Sequence, residues 1–286
     1  MAPPADRITI AASGSFILEI VDFGYVRDLV RKRSAIVLEH EKNYLVESRL
    51  QPLAHREGFP TISELVARLR TSGFGDLHSK VVEAMTTNET SFFRDLQPFE
   101  ALRKVVVPDL IARRSNRQLR IWCAACSTGQ EPYSVAMLLT EHFPQLANWD
   151  LRILATDLST QVLEKAQSGS FNQIEINRGL PSTFLMKYFK RDGLNWQLKE
   201  SILRMIEFRQ MNLIETWPLL LQMDIVFMRN VLIYFDVQTK KAILGKVRRV
   251  LQPDGYLYLG GSECTYNLDD RFVRSEVENS SIYRLG

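Results

Sequence analysis

Apolar and polar residues follow two different periods along the chain. From residue 21 to residue 85 the apolar positions recur every three or four residues, which is the spacing of one helix face. Two stretches carry this pattern most clearly: Phe23, Val26, Leu29 and Val30, and then Ile62, Leu65, Val66 and Leu69. The pattern predicts an all-helical amino-terminal domain at 21–85, preceded by a flexible tail at 1–20.

After the Thr-, Asn- and Ser-rich segment 86–94, short apolar runs alternate with amphipathic stretches. We predict strands at 119–123, 151–156, 206–208, 224–228 and 256–260, helices at 131–142, 160–167 and 237–251, and a turn at 253–255. Regular alternation of strand and helix indicates an α/β domain at 86–286, with a mostly parallel sheet covered on both faces. Ligands of such sheets bind at the carboxyl ends of the strands.

Residues 171–205 do not fit that alternation. They contain a short helix signal at 181–189, and then Asp192-Gly193 lies between two runs of strand-forming residues. Asp-Gly between such runs is typical of a hairpin. We therefore expect a small antiparallel β-subdomain inserted in the larger domain.

Composition narrows the class of protein. The chain has 286 residues, 45% of them hydrophobic and 24% charged, which is ordinary for a globular protein with two domains. Its apolar runs are a few residues long, far short of the roughly 20 that cross a bilayer, and we expect neither a membrane helix nor a signal peptide. Three cysteines are too few for a disulfide framework, so a reducing cytoplasm fits best.

The net charge is only +3, so an electrostatic partner must be met by a local patch. Segment 101–120 holds six Lys and Arg residues against Asp109 alone, and segment 25–56 is also rich in Lys and Arg. Either segment could meet an acidic protein surface or a phosphate backbone. The alternative is that both are solvated helix faces.

The turn after the first strand of the α/β domain, AACSTGQEPYS at 124–134, is the most informative stretch. Its small residues let a ligand approach the backbone, and the following helix offers free amides. Neither glycine-rich phosphate-binding pattern is present, so a pyrophosphate is not expected. Glu131 could accept hydrogen bonds from an ammonium group, or it could simply compensate the helix dipole.

Polar residues also follow the next strands. Asp157 ends the predicted strand at 151–156, where it could accept the hydroxyls of a ribose or cap the following helix. Asn230 and Tyr234 follow the strand at 224–228, where an amide could read an adenine edge; otherwise this is a structural loop with Tyr234 half buried. Cys123 and Cys126 form C-x-x-C without a second pair, which favours small buried residues over a metal or redox site.

Taken together, these stretches resemble the chemotaxis receptor methyltransferase family, CheR, from about Phe23 to Leu285. The matching words are AMTTNETSFFR at 84–94, IWCAACSTGQEPYSVAM at 121–137, ATDLS at 155–159, Asn212-Leu213, MRNVLIYF at 228–235 and LQPDGYLYLGGSE near the end. The resemblance implies an all-helical amino-terminal domain and a Rossmann-like methyltransferase domain that uses S-adenosylmethionine and releases S-adenosylhomocysteine. It also implies the inserted antiparallel β-subdomain.

The resemblance further implies which residues carry the function. Contacts to the cofactor would come from Asn88, Thr90, Arg94, Glu131, Asp157, Asn212, Leu213, Asn230 and Val231. Arg94 and Tyr234 would lie closest to the methyl transfer. The amino-terminal helices would meet the receptor, with Arg31, Arg49 and Arg56 as our candidates for that contact. Some members tether a receptor peptide on the β-subdomain, but the connection at 191–195 is short for that role.

The expected activity is methyl transfer to glutamate carboxylates of a chemoreceptor cytoplasmic domain, without nucleic acid or insertion in a membrane. A glutamate with a pKa of about 4.3 is ionised at neutral pH and needs no general base to attack a sulfonium methyl. Two alternatives remain: a methyltransferase for another acceptor, and a non-catalytic adaptor with this fold. A regulatory protein at the helical domain, the receptor, its glutamates and the oligomeric state are left open.

Overall fold

The computed structural model describes residues 20–286, apart from the side chain of His40. The predicted flexible tail, 1–20, lies outside the described residues except for Ile20. Contacts divide the chain into two compact units: one holds Leu38–Met85 with the described part of Met1–Arg31, and the other holds Lys32–Val37 with Thr86–Gly286. No helix within 20–286 is long and apolar enough to cross a membrane.

The first unit consists of helices. They are α1 (Ile20–Ser34), whose last turn belongs to the second unit, α2 (Asn43–Arg56), α3 (Ile62–Thr71) and α4 (Asp76–Ala84). The hydroxyl of Thr61 accepts from Glu64 N at 3.2 Å, which starts α3 with an amino-terminal cap. All four apolar residues predicted for one face of α3 are buried, so the three-to-four-residue spacing correctly identified the face of α3 that packs in the core.

The second unit contains the larger set of elements. In chain order they are α5 (Gln97–Ala101), a π-helical turn (Leu102–Val106), α6 (Val107–Arg113), β1 (Gln118–Ala124), α7 (Gln130–His142), β2 (Asp150–Asp157), α8 (Thr160–Ser168), β3 (Ser170–Asn172), α9 (Gln173–Asn177), α10 (Ser182–Tyr188), β4 (Phe189–Asp192), β5 (Asn195–Leu198), α11 (Glu200–Leu203), β6 (Ile206–Gln210), β7 (Met223–Met228), α12 (Val237–Val250), β8 (Leu251–Leu259), β9 (Phe272–Val277) and β10 (Ser280–Leu285).

Seven of these strands form one sheet in the order β6-β2-β1-β7-β8-β10-β9. The first five are parallel, and β10 runs antiparallel to both of its neighbours. The chain leaves β1 on one side toward β2 and later returns on its other side to β7. This reversal of strand order opens a crevice at the carboxyl end of β1. The predicted α/β class is therefore confirmed.

The start of β8 differs from the sequence prediction. The expected turn at 253–255 lies inside β8, where the pairing with β7 is irregular: Met223 is opposite Leu251, whereas Ile225 is opposite Tyr256. A proline has no N–H to donate to the ladder, so Pro253 forces the strand to bulge. The residues at 253–255 do interrupt regular structure, as predicted, but they form a bulge inside β8 and not a turn that precedes it.

The insert is a three-stranded antiparallel sheet in the order β3-β5-β4. Its β4–β5 hairpin has Asp192 opposite Asn195, with only Gly193 and Leu194 between them. Gly193 has φ +56°, the left-handed conformation that such tight turns require. The small β-subdomain expected at 171–205 is thus present.

Four of the six basic residues of 101–120 pair with acids of the same unit, so the segment is not an open patch of unpaired cations, although Lys104, Arg113 and Arg117 are exposed. Arg114 donates to both carboxylate oxygens of Asp254 at 2.7 Å and to Asp224 at 2.7 Å. Arg113 contacts Asp109 and Asp254. Arg103 and Lys104 pair with Glu100, and Lys104 also pairs with Glu278. The segment itself holds one acid, Asp109; Glu100 lies just before it, and Asp224, Asp254 and Glu278 come from distant positions.

Candidate active site

A cavity opens at the carboxyl ends of β1, β2, β6 and β7, the edge at which sheets of this kind bind their ligands. It lies wholly within the second unit. Its lining brings together all ten residues that the sequence singled out for this unit: Asn88, Thr90, Arg94, Glu131, Asp157, Asn212, Leu213, Asn230, Val231 and Tyr234. Arg31, Arg49 and Arg56, the predicted receptor contacts, belong to the first unit.

The turn after β1 brings its backbone to the cavity. Ala125 and Ser127 have φ of +55° and +50°, and Gly129 has φ +92° at the start of α7. A Cβ on Gly129 would lie 2.9 Å from the Tyr133 ring and 3.0 Å from the Ala166 side chain. The turn therefore depends on small residues, and only glycine fits its last position.

Asp157 joins the turns after β1 and β2. One carboxylate oxygen accepts from Ser127 N at 2.9 Å and the other from Ser159 N at 3.0 Å. The alternative that Asp157 caps α8 is wrong, because the cap is Ser159, whose hydroxyl accepts from Val162 N at 3.4 Å. Asp157 is 7% exposed and lines the cavity, so its carboxylate can both fix the turn and face a ligand.

Glu131 is bound by Arg229, a residue that sequence reasoning missed. Arg229 donates to a carboxylate oxygen of Glu131 at 2.9 Å, to Asp95 at 2.9 Å and to the carbonyl of Arg94 at 2.9 Å. The Arg229 side chain is only 2% exposed. Burial raises the pKa of Glu131, and the charge of Arg229 opposes that rise. Glu131 is thus half of a buried ion pair as well as a candidate for binding an ammonium group.

The segment 86–94 forms another wall. Ser127 Oγ donates to the carbonyl of Asn88 at 2.9 Å, and Phe93 N donates to Ser134 Oγ at 2.9 Å. Phe93 has φ +46°. Arg94 gives one Nη hydrogen to the carbonyl of Glu89 at 3.1 Å, and the rest of its guanidinium has no protein acceptor within 20–286. Arg94 can therefore still bind a ligand.

The loop after β7 carries Asn230, Val231 and Tyr234. Asn230 has φ +57°, and its N–H donates to Glu263 at 2.8 Å. The Tyr234 hydroxyl has no hydrogen-bond partner among residues 20–286, although this residue is only half exposed. Its carbonyl accepts from Val37 N at 3.1 Å. Tyr234 thus presents an unused phenol to the cavity.

Asn212 and Leu213 follow β6. The Asn212 amide donates to the carbonyl of Arg33 at 2.7 Å, and its oxygen accepts from Ile214 N at 3.2 Å. The carbonyl of Leu213 accepts from Lys246 at 2.8 Å. Most hydrogen-bonding groups of Asn212 and Leu213 are therefore used to hold the loop. A ligand would contact these two residues mainly through van der Waals packing.

Sequence reasoning missed part of the lining. Arg229 is the second residue of the motif MRNVLIYF. A charged residue at the end of a buried strand was the signal that could have identified it. Ser34, at the end of α1, and Ile36, just after it, also line the cavity, but no local pattern links them to it. Their contribution depends entirely on tertiary packing.

Cys123 and Cys126 are buried free thiols, and burial raises the pKa of each. A raised pKa disfavours the thiolate that metal binding and redox exchange require. Within 20–286 no cluster of three or more His, Cys, Asp or Glu residues could hold a metal ion. The two side chains pack in the core beside the turn.

Comparisons with known proteins agree on one family. A model described as "CheR methyltransferase, SAM binding domain" matches residues 88–280, and one described as "CheR methyltransferase, all-alpha domain" matches 21–86. A "Chemotaxis protein methyltransferase 1" of Pseudomonas aeruginosa is 42% identical over 92% of this chain and 97% of its own length.

Two further relatives carry similar names. The "Chemotaxis protein methyltransferase Cher2" of Pseudomonas putida is 41% identical, over 92% of this chain and 98% of its own length. A "Chemotaxis protein methyltransferase 1" of Vibrio cholerae is 38% identical, over 91% and 96%. The match thus extends over both structural units.

Proposed function

The chain belongs to the CheR methyltransferase family, and from this premise we propose that it methylates glutamate carboxylates on the cytoplasmic domain of a chemoreceptor, with S-adenosylmethionine as donor. The reaction serves sensory adaptation, and its compartment is the cytoplasm. One observation supports the proposal above all: the ten residues selected from separate sequence words line a single cavity at the carboxyl edge of the sheet.

The cavity suits a cationic nucleoside-type donor. Three acidic residues line it: Glu131 and Asp157 are largely buried, whereas Glu89 is exposed and pairs with Arg178. The small-residue turn admits a ligand close to the backbone, and the Asn230 side chain offers an amide. When bound, the sulfonium supplies an electrophilic methyl group. We assign the ammonium end of the donor to Glu131 and a ribose to Asp157.

The chain's task is placement and not proton removal. No histidine or lysine of 20–286 lines the cavity, and a glutamate acceptor is already an anion near neutral pH. Holding the reacting groups in contact can contribute about 7 to 11 kcal/mol. We assign Arg94 to the donor's carboxylate, through its guanidinium fork, and Tyr234 to the orientation of the acceptor.

The helical unit is proposed to recognise the receptor. Arg56, at the end of α2, is exposed, whereas Arg49 donates to the carbonyl of Met85 at 2.8 Å and so holds the end of α4. Reversing the charge of Arg49 would therefore disturb the fold as well as the surface. Arg56 is the cleaner probe, and Arg31 is a further exposed candidate. With two residues in the β4–β5 turn, we do not assign a tethered receptor peptide to the insert.

The test has two stages. Calorimetry with S-adenosylhomocysteine asks whether the pocket binds the donor product; transfer of a labelled methyl group to receptor cytoplasmic fragments asks what is modified. Glutamate esters release methanol in base, which distinguishes them from methylated amines. We expect binding and base-labile label on the fragments.

Other outcomes identify the alternatives. Binding without transfer to any receptor fragment would favour another acceptor, although the N/D-P-P-Y/F motif of amino-methylating DNA enzymes is absent after β7, where the sequence is RNVLIYF. No binding of the donor or its product would leave a non-catalytic adaptor. The presence of Arg94, Glu131, Asp157, Asn230 and Tyr234 around one cavity speaks against the adaptor.

A further inference from the structure

We propose that Glu263 is a positioning residue whose carboxylate holds the loop after β7, so that Asn230, Val231 and Tyr234 are presented to the donor and the acceptor. Glu263 follows β8 and does not line the cavity. It therefore acts through the loop and not on the reacting groups. The kinetic part of this inference rests on the proposed methyltransferase function.

The geometry is that of a carboxylate enclosed by backbone N–H groups. One oxygen accepts from Val231 N at 2.9 Å and Ile233 N at 3.2 Å. The other accepts from Asn230 N at 2.8 Å and Gly260 N at 2.6 Å. Glu263 is 8% exposed, so these four bonds lie largely out of water, where such interactions are strong.

The loop needs this support because its backbone is not regular. Asn230 has φ +57°, a left-handed conformation that costs a non-glycine residue free energy. The amides of Asn230, Val231 and Ile233 precede or begin the 3₁₀ turn Leu232–Tyr234, where a helical turn has no internal acceptors for them. Without Glu263, three neighbouring N–H groups would lose their acceptors, and each such loss is unfavourable when buried.

Gly260 gives independent support for a tight, specific arrangement. A Cβ at this position would lie 2.7 Å from a carboxylate oxygen of Glu263, 2.8 Å from the Asn230 side-chain nitrogen and 2.9 Å from Asn230 N. Any larger residue would push the carboxylate and the loop apart. The glycine at the end of β8 is therefore required by space.

The loop has two sides with different partners. Its backbone amides face Glu263, while Asn230, Val231 and Tyr234 line the cavity. A shift of the amides therefore moves the side chains that the proposed function uses. A misplacement of about 1 Å can cost on the order of 10²-fold in rate.

The test compares Glu263→Gln with Glu276→Gln, an exposed glutamate of β9. Glutamine keeps the shape but offers N–H groups to two of the four donors. By hydrogen-exchange mass spectrometry we expect faster exchange in the peptide 229–235 of Glu263→Gln and unchanged exchange in the peptide covering β1. We also expect weaker S-adenosylhomocysteine binding and a loss of kcat/KM on the order of 10²-fold. Glu263→Asp, with a shorter carboxylate, should fall between wild type and Glu263→Gln, and Glu276→Gln should match wild type.

Unchanged exchange at 229–235 in Glu263→Gln would overturn the inference. So would faster exchange with wild-type affinity and kcat/KM, since the role would then be structural only. If Glu263→Gln is not recovered folded, Glu263→Asp carries the same comparison. Failure of the proposed function is seen separately, on the wild-type protein: if that protein neither binds the product nor methylates a receptor fragment, the exchange measurement alone decides whether Glu263 holds the loop.

Discussion

At the scale of single residues, Glu131 and Arg229 form a buried ion pair in the lining of the cavity. Arg229 bridges Glu131, Asp95 and the carbonyl of Arg94, so one guanidinium ties the turn after β1 to the segment that precedes α5. Removing one partner of a buried pair leaves an uncompensated charge, a change that costs about 3 to 5 kcal/mol. A change to either partner alone therefore needs a check that the variant is folded, for example by circular dichroism.

The raised pKa of Glu131 predicts a pH dependence of ligand binding. Burial favours the protonated, neutral carboxyl, so the ionised fraction falls at a higher pH than for an ordinary glutamate. Because an ammonium group binds the ionised form, affinity for S-adenosylhomocysteine should weaken as the pH is lowered from about 8 toward 5. Calorimetry across this range measures it.

Glu131→Gln is the control for that experiment. It cannot ionise, so its binding should be weaker than wild type near neutral pH and should vary less with pH. Equal slopes for the wild type and Glu131→Gln would show that another group controls the titration.

Tyr234→Phe should separate acceptor positioning from donor binding. The hydroxyl has no protein partner among residues 20–286, so its removal should leave the fold and the affinity for S-adenosylhomocysteine unchanged. Loss of one hydrogen bond to the acceptor, about 1 kcal/mol, should lower kcat by about 5-fold. Labelled-methyl transfer at saturating substrates measures the change.

The exposed Tyr266 provides the matched control, and Tyr266→Phe should behave as wild type. Wild-type turnover by Tyr234→Phe at saturation would remove the catalytic assignment of this residue.

At the scale of elements, the inserted β-subdomain supports the segment that carries Arg94. Phe92 N donates to the carbonyl of Arg178 at 3.1 Å, and the Phe92 ring packs against Phe171 and Phe189 at centroid distances of 5.0 and 5.8 Å. Gly179 has φ +90°, and a Cβ there would lie 2.0 Å from the carbonyl oxygen of Phe92. The insert and this segment are therefore closely packed against each other.

Two glycine substitutions should resolve how much this contact contributes. Gly179→Ala adds both backbone strain and a collision with Phe92, whereas Gly193→Ala adds strain alone, because nothing lies within 4 Å of its Cβ position. We expect Gly193→Ala to lower the free energy of unfolding by about 1 kcal/mol and Gly179→Ala by clearly more. Urea denaturation measures both. Equal decreases in the free energy of unfolding would mean that the segment at Phe92 shifts to accommodate the added methyl group at little cost.

The elements that sequence predicted well are those with a strong local period. The strands β1, β2 and β7 follow from their apolar runs, and the hairpin of the insert follows from Asp192-Gly193. The bulge in β8 was read as a turn, because proline and glycine mark both. Arg229 and the Glu263 hydrogen bonds were not found, since their partners lie 98 and about 30 residues away and no local pattern encodes such pairs.

At the scale of the whole molecule, many charged side chains of residues 20–286 form ion pairs within the chain. The net charge is +3, and the cluster at 101–120 is bound largely to acids of its own unit. Arg56 is exposed and is therefore available for the proposed recognition of an acidic receptor surface. Exposed charge pairs are weak and sensitive to salt.

Arg56→Glu should therefore raise the KM for a receptor fragment by about 5-fold and leave kcat and product affinity unchanged, since a rim charge is worth about 1 kcal/mol or less. The difference should shrink as salt is added. Lys241→Glu, an exposed residue of α12, changes the net charge equally and is the control. The same KM for both variants would remove Arg56 from the proposed receptor contact.

Residues 32–37 fold with the second unit although they precede most of the first in the chain, and Ser34 and Ile36 line the cavity. In genetic terms, most of the helical unit is thus an insertion within the catalytic one. A gene fusion or domain exchange with a single breakpoint near residue 86 would transfer the second unit without Ser34 and Ile36, two of the residues that line its cavity. An exchange that preserves the whole cavity must include residues 32–37 together with the stretch after residue 86.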